Sequence, residues 1–153
     1  MRLIVQRVTK ASVKINGTTV GKIDNGLVVL VGITHTDSLK DVLWCANKVV
    51  NLRIFSDAQG NMNDSVLSVE NAGMLIVSNF TLYGNTLKGL RPSFMESAQP
   101  SVAEPLYNQF VSEVKKTVSL NIQTGEFGAM MEVSLVNDGP VTLIIDSPAP
   151  ISS

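Results

Sequence analysis

The spacing of apolar and polar positions changes several times along the chain, and each change predicts an element. Residues Leu3 to Val8 are rich in β-branched positions and predict an extended segment. Ala11 to Ile15 and Thr18 to Ile23 flank Asn16-Gly17, a strong signal for a two-residue hairpin turn. Asp24-Asn25-Gly26 is a second turn. The run from Leu27 to Ile33 is almost wholly apolar, as expected of a strand buried on both faces. The period then lengthens. Leu39, Val42, Leu43, Ala46, Val49 and Val50 recur at helical spacing and predict an amphipathic helix. Ser38, followed three residues later by Asp41, resembles a capping box at its start.

Further strands are expected at Ile54-Phe55 and Met74 to Val77, with a turn at Asp57 to Gly60. Gly84 to Pro100 is rich in Gly, Pro and polar residues and predicts a long loop, a length usually tied to function. A second helix is expected over Glu104 to Val118, with Leu106, Phe110, Val114 and Val118 on its apolar stripe and Pro105 in its first turn. Two closing strands, Ala129 to Val136 and Val141 to Ile145, are separated by Asn137-Asp138-Gly139-Pro140. Asp-Gly favours a hairpin turn there. Pro140 is out of place at the start of a strand, because it removes a ladder donor. A cis Gly-Pro bond that aims neighbouring carbonyls the same way is the alternative. The organisation is one domain over 1–147, with a short 148–153 tail expected to fray.

Composition narrows the function classes. The net charge is -1, so a long nucleic-acid backbone is not gripped by bulk charge, and any RNA contact should be local, as at a chain end. Only 16% of residues are charged, which leaves little to cover a monomer and hints at an oligomer. One cysteine, Cys45, excludes an intrachain disulfide framework and a thiolate zinc site. The single histidine, His35, excludes a two-histidine zinc site, and reads better as a polar loop residue before a helix than as a catalytic base. Cys45 reads as a buried structural thiol. Neither a signal-peptide core nor a membrane-length apolar run is found, so the expected address is the cytoplasm. No phosphate-cradling glycine motif is present.

Three segments retain candidate chemistry. Ser78-Asn79-Phe80-Thr81-Leu82 places polar and aromatic groups directly after a buried strand. Lys88 and Arg91 sit in the long loop near Phe94, either as a solvated loop or as phosphate contacts beside an aromatic ring. Asn137 to Pro140 is the third.

These segments also carry a family resemblance. Residues 78–85, SNFTLYGN, resemble the pattern SQFTLYxD of the D-aminoacyl-tRNA deacylases, formerly called D-tyrosyl-tRNA deacylases. NDGPVT resembles the family's Gly-Pro motif, and MRLIVQRV, NLRIFSDAQGNMN, KGLRPSFMESA and TGEFGAMMEVSLVNDGPVTLIIDS extend the likeness from Met1 to about Ser147. The resemblance implies an α/β fold, a β-barrel-like mixed sheet with two main helices packed outside. It implies a homodimer acting on the acceptor end of D-aminoacyl-tRNA and of glycyl-tRNA mischarged on alanine tRNA; no cofactor or metal is expected. Gly139-Pro140 would be a cis motif inserted into the partner subunit's pocket, where its carbonyls hold the α-amino group and exclude an L side chain. Arg7 would fix the motif's orientation, and Ser78, Asn79, Phe80 and Thr81 would form the catalytic pocket. Lys88 and Arg91 are the candidate tRNA contacts. One departure is Asn79, where the family usually has Gln. For the chemistry, either Thr81 attacks as a nucleophile, or the 2'-hydroxyl of the terminal adenosine helps activate water while backbone N–H groups near Phe80 and Thr81 stabilise the oxyanion. A non-catalytic module that binds the tRNA acceptor end is the other function class in view.

Overall fold

A computed structural model describes residues 1–148. The tail expected to fray thus lies outside the described residues, apart from Pro148. The elements run β1 (Arg2–Ile15), β2 (Thr18–Ile23), β3 (Gly26–Gly32), α1 (Leu39–Asn51), β4 (Phe55–Ser56), β5 (Met62–Asp64), β6 (Gly73–Ser78), α2 (Pro100–Thr117), β7 (Asn121–Thr124) and β8 (Glu132–Asp146). Short 3-10 turns lie at Val66–Ser68 and Phe80–Tyr83.

Six strands form one mixed sheet in the order β2-β1-β3-β6-β7, with β8 also paired to β1. The 14-residue β1 is long enough to serve three neighbours. Its first half lies between β3 and β8, and its second half between β2 and β8, all antiparallel. The β3-β6 and β6-β7 pairs are parallel. Contact between β2 and β7 nearly closes the sheet into the expected barrel. The β1-β2 hairpin turns on Asn16 and Gly17, both at positive φ, as a tight two-residue turn requires.

β3 is buried on both faces, as its apolar run predicts. Leu27, Val29 and Val31 face the helices and share a core with Met74 and Ile76 of β6, Val49 of α1, and Phe110 of α2. Val28 points into the barrel with Val8, Val13, Ile23, Leu75 and Val77. The two helices pack against each other and cover the outer core. α1 matches its expectation closely, except that Leu39 and Leu43 are exposed. Cys45 is fully buried, and burial pushes its thiol up to about 12, so it is an inert packing group.

Three expectations are corrected. The second helix begins at Pro100, not Glu104, because Pro100 takes the first helical position and Gln99 the cap. Pro105 therefore lies inside the helix, where the carbonyl it leaves without a donor belongs to exposed Ser101. Tyr107, absent from the expected stripe, is buried and donates to the Ile76 carbonyl at 2.9 Å. Finally, Asn137 to Pro140 is not a hairpin turn. It is a bulge inside one continuous strand, β8, which pairs antiparallel with β1 on both sides of it. Between the pairs Val8↔Asn137 and Gln6↔Thr142, two steps along β1 are matched by five along β8. The surplus residues are pushed out of the ladder without reversing the chain.

Candidate active site

The parallel pair β3-β6 ends with Val31 opposite Ser78, and the chain then leaves the sheet. Asn79 N–H donates to the Val31 carbonyl at 2.8 Å, the last bond of that alignment. The Asn79 side chain then breaks the strand. Its Oδ1 accepts the Thr81 N–H at 3.1 Å and the Thr81 hydroxyl at 2.6 Å, which caps the 3-10 turn Phe80–Tyr83. Buried Ser97 holds the other side of the turn, its hydroxyl donating to the Phe80 carbonyl at 2.7 Å. The Phe80-Thr81 peptide is therefore fixed at both its carbonyl and its N–H. Phe80 is largely exposed and meets Phe94 edge-on at 5.2 Å.

This turn forms one wall of a cleft of about 870 Å³. Ser78, Asn79, Phe80 and Thr81 all line it. The lining also includes a wall of Phe127 to Met131 with Val133 and Leu135, together with Ile33, Val77 and Ala103. Sequence reading missed the Phe127–Met131 wall. Its residues are mostly apolar, so nothing in their type separates a binding wall from core. Among the described residues, none that lines the cleft carries an ionisable side chain. The polar groups facing the cleft are hydroxyls, amides and backbone, which can bind and orient an uncharged ester but cannot take up a proton at neutral pH.

His35 does not line the cleft; its Nε2 contacts the Met95 carbonyl at 2.8 Å. Lys88 and Arg91 do not line it either. They lie on the exposed loop that Asn85 and Ser93 close by pairing, with Leu87 and Leu90 also exposed.

Arg7 and Gly139-Pro140 meet at a second place. The Gly139-Pro140 peptide is cis, and both residues are exposed. The Arg7 side chain is only 12% exposed. It donates through Nε to the Asp138 carbonyl at 3.2 Å and pairs with Asp138 Oδ2 at 3.1 Å. Its Nη1 donates to the Ile54 carbonyl at 2.5 Å, and the guanidinium lies 5.9 Å from the Phe55 ring centre. Neither Gly139 nor Pro140 lines the cleft of its own chain. The fold thus holds two separate candidate parts, a cleft built on Ser78–Thr81 and a bulge built on Arg7 and Gly139-Pro140.

A family profile described as D-Tyr-tRNA(Tyr) deacylase matches residues 4–146. The chain belongs to this family. With that membership it is an enzyme of the ester-hydrolase class. The D-aminoacyl-tRNA deacylase of Thermosipho africanus (strain TCF52B) is 54% identical over 147 residues, which cover 96% of this chain and 97% of the relative. That of Bacillus thuringiensis (strain Al Hakam) is 56% identical over 147 residues, 96% and 99% respectively. A solved structure titled c-Myc DNA Unwinding Element Binding Protein superposes with a TM-score of 0.91 at 40% identity, covering 97% of this chain and all of the other. A probable eukaryotic D-amino acid tRNA deacylase gives a TM-score of 0.80 at 16% identity over 94% of this chain and 97% of the other, a likeness of fold alone. Among the described residues, no helix of this deacylase-family chain is long and apolar enough to cross a membrane.

Proposed function

We propose that the chain hydrolyses the ester linking a D-amino acid to the terminal adenosine of tRNA, releasing free tRNA and the amino acid. The reaction proceeds in the cleft beside Phe80 and Thr81. The observation that carries the mechanism is that, among the described residues, none lining the cleft has an ionisable side chain. A hydroxyl nucleophile needs a neighbouring base, and the Thr81 hydroxyl donates to the Asn79 amide oxygen, which is none. The substrate's own 2'-hydroxyl supplies the missing polarity beside the ester, and water attacks. The protein contributes position and a backbone donor. That donor is the Phe80 N–H, because Thr81 N–H is already bonded to Asn79. The reading calls for no metal or cofactor.

Chirality is handled by the second part. The working unit is a homodimer in which Gly139-Pro140 of one subunit enters the cleft of the other. Its exposure, and its absence from the cleft of its own chain, support this. The motif's carbonyls accept the α-ammonium and leave no space where an L side chain would go, which is selectivity by exclusion. Glycine has no side chain to exclude, so glycyl-tRNA mischarged on alanine tRNA is also a substrate. Lys88 and Arg91, on an exposed loop next to Phe94, take backbone phosphates of the acceptor end. A cytoplasmic enzyme meets this substrate.

The test is hydrolysis of D-tyrosyl-tRNA and L-tyrosyl-tRNA by the purified protein, repeated with a 2'-deoxy terminal adenosine. Release of D-tyrosine alone, abolished by the 2'-deoxy substitution, is the expected result. Normal hydrolysis of the 2'-deoxy substrate removes the assisted mechanism. Binding without release from either substrate leaves a module that holds the acceptor end without turnover.

A further inference from the structure

A bulge that must present Gly139 and Pro140 to another molecule needs a closed neck, or its tip will wander. The ladder cannot supply one here, since the register between β1 and β8 is interrupted across the surplus residues. The neck is closed by Asn137. Its Nδ2 donates to the Arg7 carbonyl at 3.0 Å and to the Val141 carbonyl at 3.0 Å. One amide group thus ties the β1 residue opposite the bulge to the far end of the bulge itself. The relation is reciprocal: the Arg7 backbone is held by Asn137, while the Arg7 side chain holds the Asp138 carbonyl just beyond it. Arg7 itself is anchored on the Ile54 carbonyl, and Val141 is buried, so both ends of the neck are fixed to the body of the fold.

We infer that Asn137 is a positioning residue for stereochemical discrimination, acting with Arg7 to aim the Gly139-Pro140 bulge. The residue type fits the task. Two N–H bonds on one nitrogen are needed to reach two carbonyls. Aspartate has the shape but would set a carboxylate against both oxygens, and serine offers a single donor. Asn137 touches no reacting atom in this account. The inference rests on the proposed chiral role of Gly139-Pro140, and the test separates the two.

The test measures dissociation constants for non-hydrolysable D- and L-tyrosyl amide analogues of the terminal adenosine, using the full-length protein and its Asn137→Ala, Asn137→Ser and Pro140→Ala variants. Each variant is first checked for a cooperative thermal transition. Loss of the neck should lower the preference for the D analogue by roughly tenfold to a hundredfold, the scale of a misplacement of about 1 Å in a binding group. Asn137→Ser should keep part of the preference that Asn137→Ala loses. A residue that only stabilises the fold would weaken both analogues together and leave their ratio unchanged. Should Pro140→Ala lose the preference while both Asn137 variants keep it, the positioning role is wrong and the motif reading stands. A ratio that Pro140→Ala leaves unchanged overturns the motif reading itself, and the role of Asn137 with it.

Discussion

Asn79 binds Thr81 twice, through the backbone N–H and through the side-chain hydroxyl, with a single carbonyl oxygen. The short side chain makes this possible, since it turns back onto a residue two places along, as Asx turns do. A glutamine would carry its carbonyl one methylene further from the turn. In this chain the amide is spent on local geometry, which gives the departure from the usual glutamine a structural meaning.

The same relationship predicts how the two residues respond to substitution. Thr81→Ala removes one hydroxyl and leaves the capped N–H in place. The expected fall in kcat is below about tenfold, the scale of one hydrogen bond of about 1 kcal/mol. Loss of a true nucleophile costs far more, on the order of a thousandfold or greater. Asn79→Ala removes the cap and should cost about 1 kcal/mol of stability. Single-turnover kinetics and urea denaturation on the two variants read these effects. A near-complete loss in Thr81→Ala with substrate binding intact would restore Thr81 as the attacking group.

Much of the fold was legible because its elements follow simple periods. β3 reads as doubly buried from its continuous apolar run, and α1 from six apolar positions at helical spacing. β7, Asn121–Thr124, was not legible, since one isoleucine among polar residues shows no strand pattern and its place is set by parallel pairing with β6. The bulge at Asn137 to Pro140 imitates a hairpin because Asp-Gly favours both, and only the length of β1 decides between them. Of the residues that line the cleft, Ser78, Asn79 and Thr81 stand out in the sequence as polar groups after a buried strand, whereas Phe127, Met130 and Met131 do not. Apolar residues look alike in sequence whether they face a core or a ligand.

A pH effect on stability is expected at the start of α1. Burial pushes the Asp41 carboxyl up, but hydrogen bonds from the Ser147 and Ser38 hydroxyls and from the Ser38 N–H outweigh it, and the group lies below its ordinary value of 3.8. A carboxyl lowered in the folded state binds protons more readily when unfolded. Its stabilisation is therefore complete above the unfolded value and is lost as pH falls through the folded one. Asp41→Asn should be less stable than the parent at pH 6, and the gap should narrow below pH of about 4. Urea midpoints measured from neutral to acid pH read this directly. Parallel curves for the two proteins down to pH of about 2 would remove Asp41 from the account of acid sensitivity.

The strongest single-residue effect on the fold is expected where β3 and β6 begin. Gly26 has φ +152° and is paired with Gly73, and a Cβ at Gly26 would come within 1.9 Å of the Gly73 carbonyl oxygen. The obstacle is backbone, so no side-chain rotation relieves it. Gly17 also has positive φ but faces open space. Gly17→Ala should then cost about 1 kcal/mol, for the turn conformation alone. Gly26→Ala should cost on the order of 3 kcal/mol or more, because strain and collision add. The consequence reaches the cleft, since the far ends of the same two strands are Val31 and Ser78, which line it. Pushing the strands apart at Gly26 disturbs the register that delivers Asn79 to the Val31 carbonyl. Gly26→Ala should therefore lose deacylase activity even at temperatures where it stays folded, while Gly17→Ala keeps it. Equal stability loss in the two variants by urea denaturation would show that β3 and β6 can separate without cost, contrary to the close approach of their backbones.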